Sequence, residues 1–371
     1  MKKYNTERGS TLLKFVDRYI GIPLIFLLRL ISKKREVPRQ IKNIALLKTA
    51  AIGDTVLLTA IISDIQEFNK NIHITLFTGS SNYEFARILE KQYINLSIVK
   101  LPIKNPLKAI KIIRQKKYDI FIDFDSWPRL NALLTYSSNA SFTIGFKTKN
   151  QFRHYLYNKY IEHNWNIHEV ENYKNLIKYI GIDKNNLPNI KIDSKKNKKI
   201  IVIHMFPGGS KSHLKEWPNE FWIQLINYLT SNNLHVYLTG APVDKVKALN
   251  VKKCCTNADS IFVVAGKYSL NDTINLLSES NFVISIDTGI MHIASALNCN
   301  LITLHGPTSS MRWGALNNNS IVINSNLECS PCLNLGFEHG CNINRCMQKI
   351  SVHHVIEKLN LRGEINDNIR K

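Results

Sequence analysis

Apolar residues occur along this chain in short runs, separated by turn residues and by stretches with helical spacing. The run Phe282–Ile286 reads as a buried strand and Gly289–Leu297 as the helix after it. Similar runs predict strands at Ile41–Lys48, Ile72–Phe77, Asp119–Phe124 and Ser141–Ile144. A second series follows at Lys199–Met205, Leu234–Thr239, Ile261–Val264 and Asn300–Leu304. Helices are predicted from Asp54 to about Phe68, near Asn219–Leu229 and near Leu270–Ser278. Residues 183–199 are polar, contain Pro188 and a lysine run, and read as a linker. Two consecutive arrays of alternating strands and helices predict an α/β chain with two doubly wound domains, 39–182 and 200–371, facing a cleft.

The N-terminus has a different pattern. Thr11 to Ile31 is rich in Leu, Ile and Phe, but Lys14, Asp17, Arg18 and Arg29 interrupt it. Its uncharged core, Tyr19–Leu28, is about half of what a membrane-crossing helix requires. Gly21 and Pro23 lie within it, and no small-residue cleavage site follows. The first forty residues carry ten lysines and arginines against three acids. Residues 1–38 therefore read as a kinked, basic amphipathic helix lying in the membrane surface on its cytoplasmic face. The alternative is a helix packed on the protein's own surface.

Charge widens the picture. With 49 Lys and Arg against 28 Asp and Glu among 371 residues, the net charge is +21. Such a surface suits nucleic acid, anionic lipid headgroups or phosphorylated substrates, although AT-rich coding also enriches lysine. The seven cysteines are odd in number, and with no cleavable signal sequence they suit a reducing cytosol.

Doubly wound folds bind ligands beyond the carboxyl ends of their strands, which directs attention to the loops there. Asp287-Thr288-Gly289-Ile290-Met291-His292 joins a strand to a helix N-terminus, where unpaired N–H groups and the helix dipole favour phosphate. Lys48-Thr49-Ala50-Ala51-Ile52-Gly53-Asp54 follows the first strand; Asp54 there is either a helix cap or a base. Phe206-Pro207-Gly208-Gly209-Ser210 can aim backbone N–H groups at a phosphate, and Lys215 can supply charge to a diphosphate leaving group. Asp244 enters a helix after another strand, Tyr268 offers a ring for stacking on a base, and His305-Gly306-Pro307-Thr308 closes one wall. The chain contains neither G-x-G-x-x-G nor G-K-[ST], so these are not dinucleotide or P-loop sites.

The motifs K-T-x-x-x-G-D, P-G-G-S…K-x-W-P, A-G-x-x-S-L, D-T-G-x-x-H and G-P-T, in that order over roughly residues 41–358, resemble glycosyltransferase family 9, the bacterial ADP-heptose:lipopolysaccharide heptosyltransferases. The resemblance implies a GT-B fold, with two Rossmann-like domains and the sugar nucleotide bound mainly by the second. It implies inverting transfer without a metal ion or other cofactor. Asp54 would be the general base, with Lys215 and Ser210, helped by Gly208 and Gly209, on the diphosphate. Asp287, Thr288, Gly289 and His292 would line the donor site, Tyr268 would meet adenine, and Asp244 would meet ribose. The implied partners are ADP-heptose and a lipid-linked anionic saccharide such as lipopolysaccharide core, met at the cytoplasmic face of the inner membrane, with no nucleic acid. A nucleotide-sugar epimerase of the same fold, or a basic nucleic-acid-binding protein, is the alternative.

The N-terminal helix departs from the best-characterised members, as does a cysteine cluster, Cys329, Cys332, Cys341 and Cys346, whose spacing permits structural zinc, a disulfide or reduced packing. Asp123-Phe124-Asp125 imitates a metal-binding D-x-D but reads better as the end of a buried strand. His204 and His305 read as structural histidines, Arg129, Lys147 and Lys149 as contacts for acceptor phosphates, and Trp165 and His168 as a border of the acceptor site.

Overall fold

The computed structural model describes residues 11–209, 211–333 and 341–360 (side chains from Phe15 onward). The chain divides into two compact units, 1–188 and 189–371. The first contains β1 (Asn43–Lys48), β2 (His73–Thr78), β3 (Leu96–Lys100), β4 (Ile120–Asp123), β5 (Phe142–Lys147) and β6 (Lys159–Glu162). The second contains β7 (Asn197–His204), β8 (His235–Thr239), β9 (Ile261–Val263), β10 (Ser280–Ile286), β11 (Leu301–His305) and β12 (Ser320–Asn324).

Each unit holds one parallel sheet, ordered β3-β2-β1-β4-β5-β6 and β12-β11-β10-β7-β8-β9. Central strands such as β1 are apolar at nearly every position, because helices cover both faces of such a sheet. In each sheet the winding direction reverses between two central strands, β1 beside β4 and β7 beside β10. The loops leaving those strands splay apart and leave a crevice. The expected ligand loops after β1, β7 and β10 all start at such a reversal. The core of the second unit gathers Trp217, Trp222, Leu225 and Ile284, with the Trp217 indole donating to the Ile350 carbonyl at 2.9 Å.

The single N-terminal helix expected from the sequence is instead two nine-residue helices, Thr11–Tyr19 and Gly21–Arg29. Pro23 accounts for the break, because its ring would clash with the Tyr19 carbonyl in a continuous helix. The second helix buries Ile25 and packs on Ala132, Leu156 and Tyr157. Asp17 accepts from Arg129 and from the Leu130 amide, both at 3.0 Å. Among the described residues, no helix is long and apolar enough to cross a membrane.

Candidate active site

In the first unit, β1 ends in Lys48, a residue only 4% exposed. Its ammonium lies 3.0 Å from Asp54 Oδ1 and 2.8 Å from Asp125 Oδ1. The Tyr173 hydroxyl, from the helix Glu169–Tyr179, donates to the same Asp54 oxygen at 3.0 Å. Asp125 also accepts from the Thr49 amide at 2.8 Å, the Thr49 hydroxyl at 2.9 Å and the Asn131 amide at 2.6 Å. Burial alone would lower the Lys48 pKa, but Asp125 and Asp54 hold it well above the usual lysine value. Burial and the Asp54 charge push Tyr173 well above the usual phenol, so it stays a neutral donor. Asp125 falls below the usual carboxylate range, because Lys48 and the Thr49 hydrogen bonds outweigh burial. Asp54 is thus gripped by a cation and a phenol, with its side chain still 13% exposed.

Asp54 is not a helix cap. The helix starts at Ile52 after Ala51, which adopts φ 72° without a side-chain cap, and Asp54 lies within the first turn. A non-glycine residue at positive φ is costly and occurs where surrounding contacts enforce it. Here it turns the chain from β1 so that the Asp54 carboxylate meets Lys48.

The D-x-D carboxylates serve internal pairs. Asp123 accepts from Arg153 and, at 2.7 Å, from the Tyr157 hydroxyl, while Asp125 belongs to the Lys48 cluster. Among the described residues, no group of three or more His, Cys, Asp or Glu side chains is placed to hold a metal. All four clustered cysteines are free thiols: Cys329 and Cys341 exposed, Cys332 half-buried and Cys346 buried in the core. Arg129 does not present its charge to an acceptor, because Asp17 and the Asn150 carbonyl hold it in a buried site. Lys147 pairs with Glu162, and Lys149 is exposed. His168 caps the helix Glu169–Tyr179, accepting from the Val170 amide, and the Trp165 ring packs edge-on against His163.

In the second unit, the crevice between β7 and β10 assembles Lys215 with the D-T-G-x-x-H turn. The Lys215 ammonium donates to the Asp287 carbonyl at 3.1 Å and lies 3.6 Å from its carboxylate. Burial opposes ionisation of Asp287, but Lys215, His305 and His292 hold its pKa below the usual carboxylate value. Thr288 caps the helix Gly289–Ala296 through its hydroxyl. His292 is buried in the same helix.

His305 differs from the structural reading. It is 1% exposed at the end of β11, and neither ring nitrogen finds a hydrogen bond among the described residues. Burial lowers its pKa, against the opposing pull of Asp287. His204 fits the structural reading: it hydrogen-bonds the Thr239 hydroxyl at 3.0 Å, and burial lowers its pKa to about 4.

Gly208 is open around its Cα, and Gly209 has φ 94°. Ser210 lies outside the described residues. A Cβ on Gly240 would meet the Phe206 ring at 2.8 Å and Ala265 Cβ at 3.2 Å, so the loops after β7, β8 and β9 converge there. Tyr268 stands 42% exposed beyond the last of these. Asp244 accepts from the Ala241 amide at 2.8 Å and so closes its own turn.

Sequence reasoning named Lys48 only as part of a motif and missed Tyr173 altogether. A lysine ending an apolar strand is the available signal, since a buried ammonium needs acidic partners, and Asp125 stands near the start of the loop after the neighbouring strand β4.

A family model, glycosyltransferase family 9 (heptosyltransferase), matches residues 107–341. The chain belongs to glycosyltransferase family 9. Among relatives, the lipopolysaccharide core heptosyltransferase OpsX of Haemophilus influenzae is 24% identical over 307 residues, 76% of this chain and 84% of that protein. Lipooligosaccharide heptosyltransferase 2 of the same organism is 31% identical over 124 residues, and that match spans only 36% of the relative's length. Among solved structures, E. coli ADP-heptose lipopolysaccharide heptosyltransferase II superposes with a TM-score of 0.68 at 18% identity, covering 88% of this chain and 99% of that one. E. coli heptosyltransferase WaaC with ADP gives 0.68 at 20% identity, covering 86% and 99%. At such identities the likeness shows the fold, which is GT-B.

Proposed function

We propose that this family 9 chain transfers a heptose from ADP-heptose to a lipid-linked anionic saccharide of the lipopolysaccharide core, with inversion and with Asp54 as general base. The observation that carries this reading is the Lys48–Asp54–Tyr173 cluster at the sheet reversal of the first unit. Two donors fix one Asp54 oxygen, and the side chain remains reachable. In the reaction, an acceptor hydroxyl oxygen bonds to the anomeric carbon while that carbon's bond to the diphosphate breaks. The hydroxyl proton passes to the Asp54 carboxylate. Charge develops on the departing diphosphate, where Lys215 and the N–H groups opening the helix Gly289–Ala296 can stabilise it. Asp287 holds Lys215 in place through both its carbonyl and its carboxylate. The chain's family argues against the epimerase and nucleic-acid readings.

The same reading places the protein on the cytoplasmic face of the inner membrane. Phe15, Tyr19 and Leu27 on the paired N-terminal helices, and Ile20, Leu30 and Ile31 in the turns beside them, are each more than half exposed. Arg18, Arg29, Lys33, Lys34 and Arg35 stand among or just after them. An apolar face with a basic border suits an anionic bilayer surface.

A thermal-shift screen with ADP, GDP, UDP and ADP-heptose tests the donor. Stabilisation by the adenine nucleotides alone is expected. Stabilisation by UDP or GDP instead, or by no nucleotide, overturns the donor assignment.

A further inference from the structure

A cavity of about 290 Å³ lies where the second N-terminal helix meets the body of the first unit, lined by Arg29, Ser32, Lys34, His154, Tyr155 and Tyr160. We infer that this cavity binds the anionic phosphate headgroup of a membrane lipid. The inference rests in part on the membrane reading above, although the pocket can be tested without it.

The walls define the ligand's chemistry. The Arg29 guanidinium stacks over the Tyr155 ring at 4.1 Å, so its edge is positioned before any ligand arrives. The Lys34 ammonium donates to the Tyr157 carbonyl, which uses one of its three N–H groups. Lys147, on the neighbouring strand β5, lies 5.4 Å from the Tyr160 ring centroid. The carboxylate in this group is Glu162, and Lys147 engages it. Arg29 and Lys34 both line the cavity, and among the described residues neither forms an ion pair with a carboxylate.

Their electrostatic effect is visible in the neighbours. Burial first, and then the Arg29 charge, lower the Lys34 pKa. Burial, Lys147, Lys34 and Arg29 bring His154 down to about 4 against the opposing pull of Glu162. An anion between the two cations would relieve this repulsion through charge-assisted hydrogen bonds.

Size and position narrow the ligand further. Ligand pockets run from about 300 to 1,000 Å³, so this one suits a headgroup and is small for a sugar nucleotide. Ser32 directly follows Leu30 and Ile31, which are 81% and 68% exposed. A phosphate in the cavity would thus be bound beside apolar side chains that can sit at the acyl boundary. Free phosphate shares the same chemistry, and the test separates the two.

The experiment follows the His154 ring by NMR in the full chain with ¹³C-labelled histidine, the signal being assigned with His154→Gln. The titrants are short-chain phosphatidylglycerol, short-chain phosphatidylcholine (both below micelle formation) and inorganic phosphate. Phosphatidylglycerol is expected to shift the signal saturably and to raise the His154 pKa from about 4. Lys34→Gln should weaken that binding by about tenfold or more. Phosphatidylglycerol binding well above inorganic phosphate supports a lipid, whereas equal binding of the two overturns the lipid assignment. No saturable shift with any titrant overturns the site. Sedimentation with phosphatidylglycerol vesicles runs in parallel. Vesicle binding with an unmoved His154 signal refutes the pocket and leaves the membrane reading intact. A shifted signal without vesicle binding refutes the membrane reading and retains the pocket.

Discussion

Lys48 neutralises two carboxylates at once, Asp54 and Asp125, and the consequences of removing each member differ. Asp54→Asn keeps the shape and leaves Lys48 paired with Asp125 at 2.8 Å. Transfer should fall by about 10²–10⁴, the usual worth of a positioned base, while ADP affinity stays within about twofold. Single-turnover rates beside calorimetric ADP binding read the two separately, and an equal loss in both would assign Asp54 a binding role. Lys48→Met instead leaves Asp125 buried without its cation. Breaking a buried pair from one side costs about 3–5 kcal/mol, so urea unfolding should show a large drop in stability. Asp54 and Lys215 are recognisable from motifs close to them in sequence. Arg129 is not, because Asp17, the partner that removes its charge from acceptor binding, lies 112 positions away. Tyr173 was missed for the same reason: its role depends on a contact 119 positions distant.

Strands buried on both faces carry their own signature, and among the described edge strands only Ile261–Val263 is comparably legible. Runs such as Ile44–Leu47 and Phe282–Ile286 were recognisable because every residue is apolar or small and buried. Leu96–Lys100, Lys159–Glu162 and Ser320–Asn324 escaped, and all three lie at sheet edges. These three are short and half-exposed, and Leu96–Lys100 and Lys159–Glu162 also carry charge that discourages further pairing, which masks the apolar run. In the crevice between β7 and β10, Lys215→Ala should weaken diphosphate binding by about 1.5–3 kcal/mol, the worth of a charged hydrogen bond. Nucleotide titration measures it, and a parallel loss with adenosine, which lacks the diphosphate, would contradict the assignment. At the end of β7, His204 has a folded-state pKa of about 4, below the usual 6.5. Between those values the unfolded chain binds the proton and the folded chain does not, so stability falls as pH drops from 6.5 towards 4. The loss is on the order of 3 kcal/mol. Unfolding of the wild type and His204→Gln across that range should show the smaller pH slope in the variant, and equal slopes would count against it.

The whole molecule joins a GT-B fold shared with the heptosyltransferases to a helical pair docked on the first unit through Asp17, Ile25 and Arg29. Deleting residues 1–36 should abolish sedimentation with acidic vesicles while preserving nucleotide stabilisation by the second unit. Unchanged sedimentation would refute the membrane role of the pair. Heptose transfer with Asp54 as base is read out by mass spectrometry of a lipopolysaccharide-core acceptor incubated with ADP-heptose and either the wild-type chain or Asp54→Asn. One added heptose with release of ADP is expected for the wild type, and little or none for the variant at saturating donor. Equal product from both would contradict the base assignment, and no product from the wild type would contradict the transfer itself.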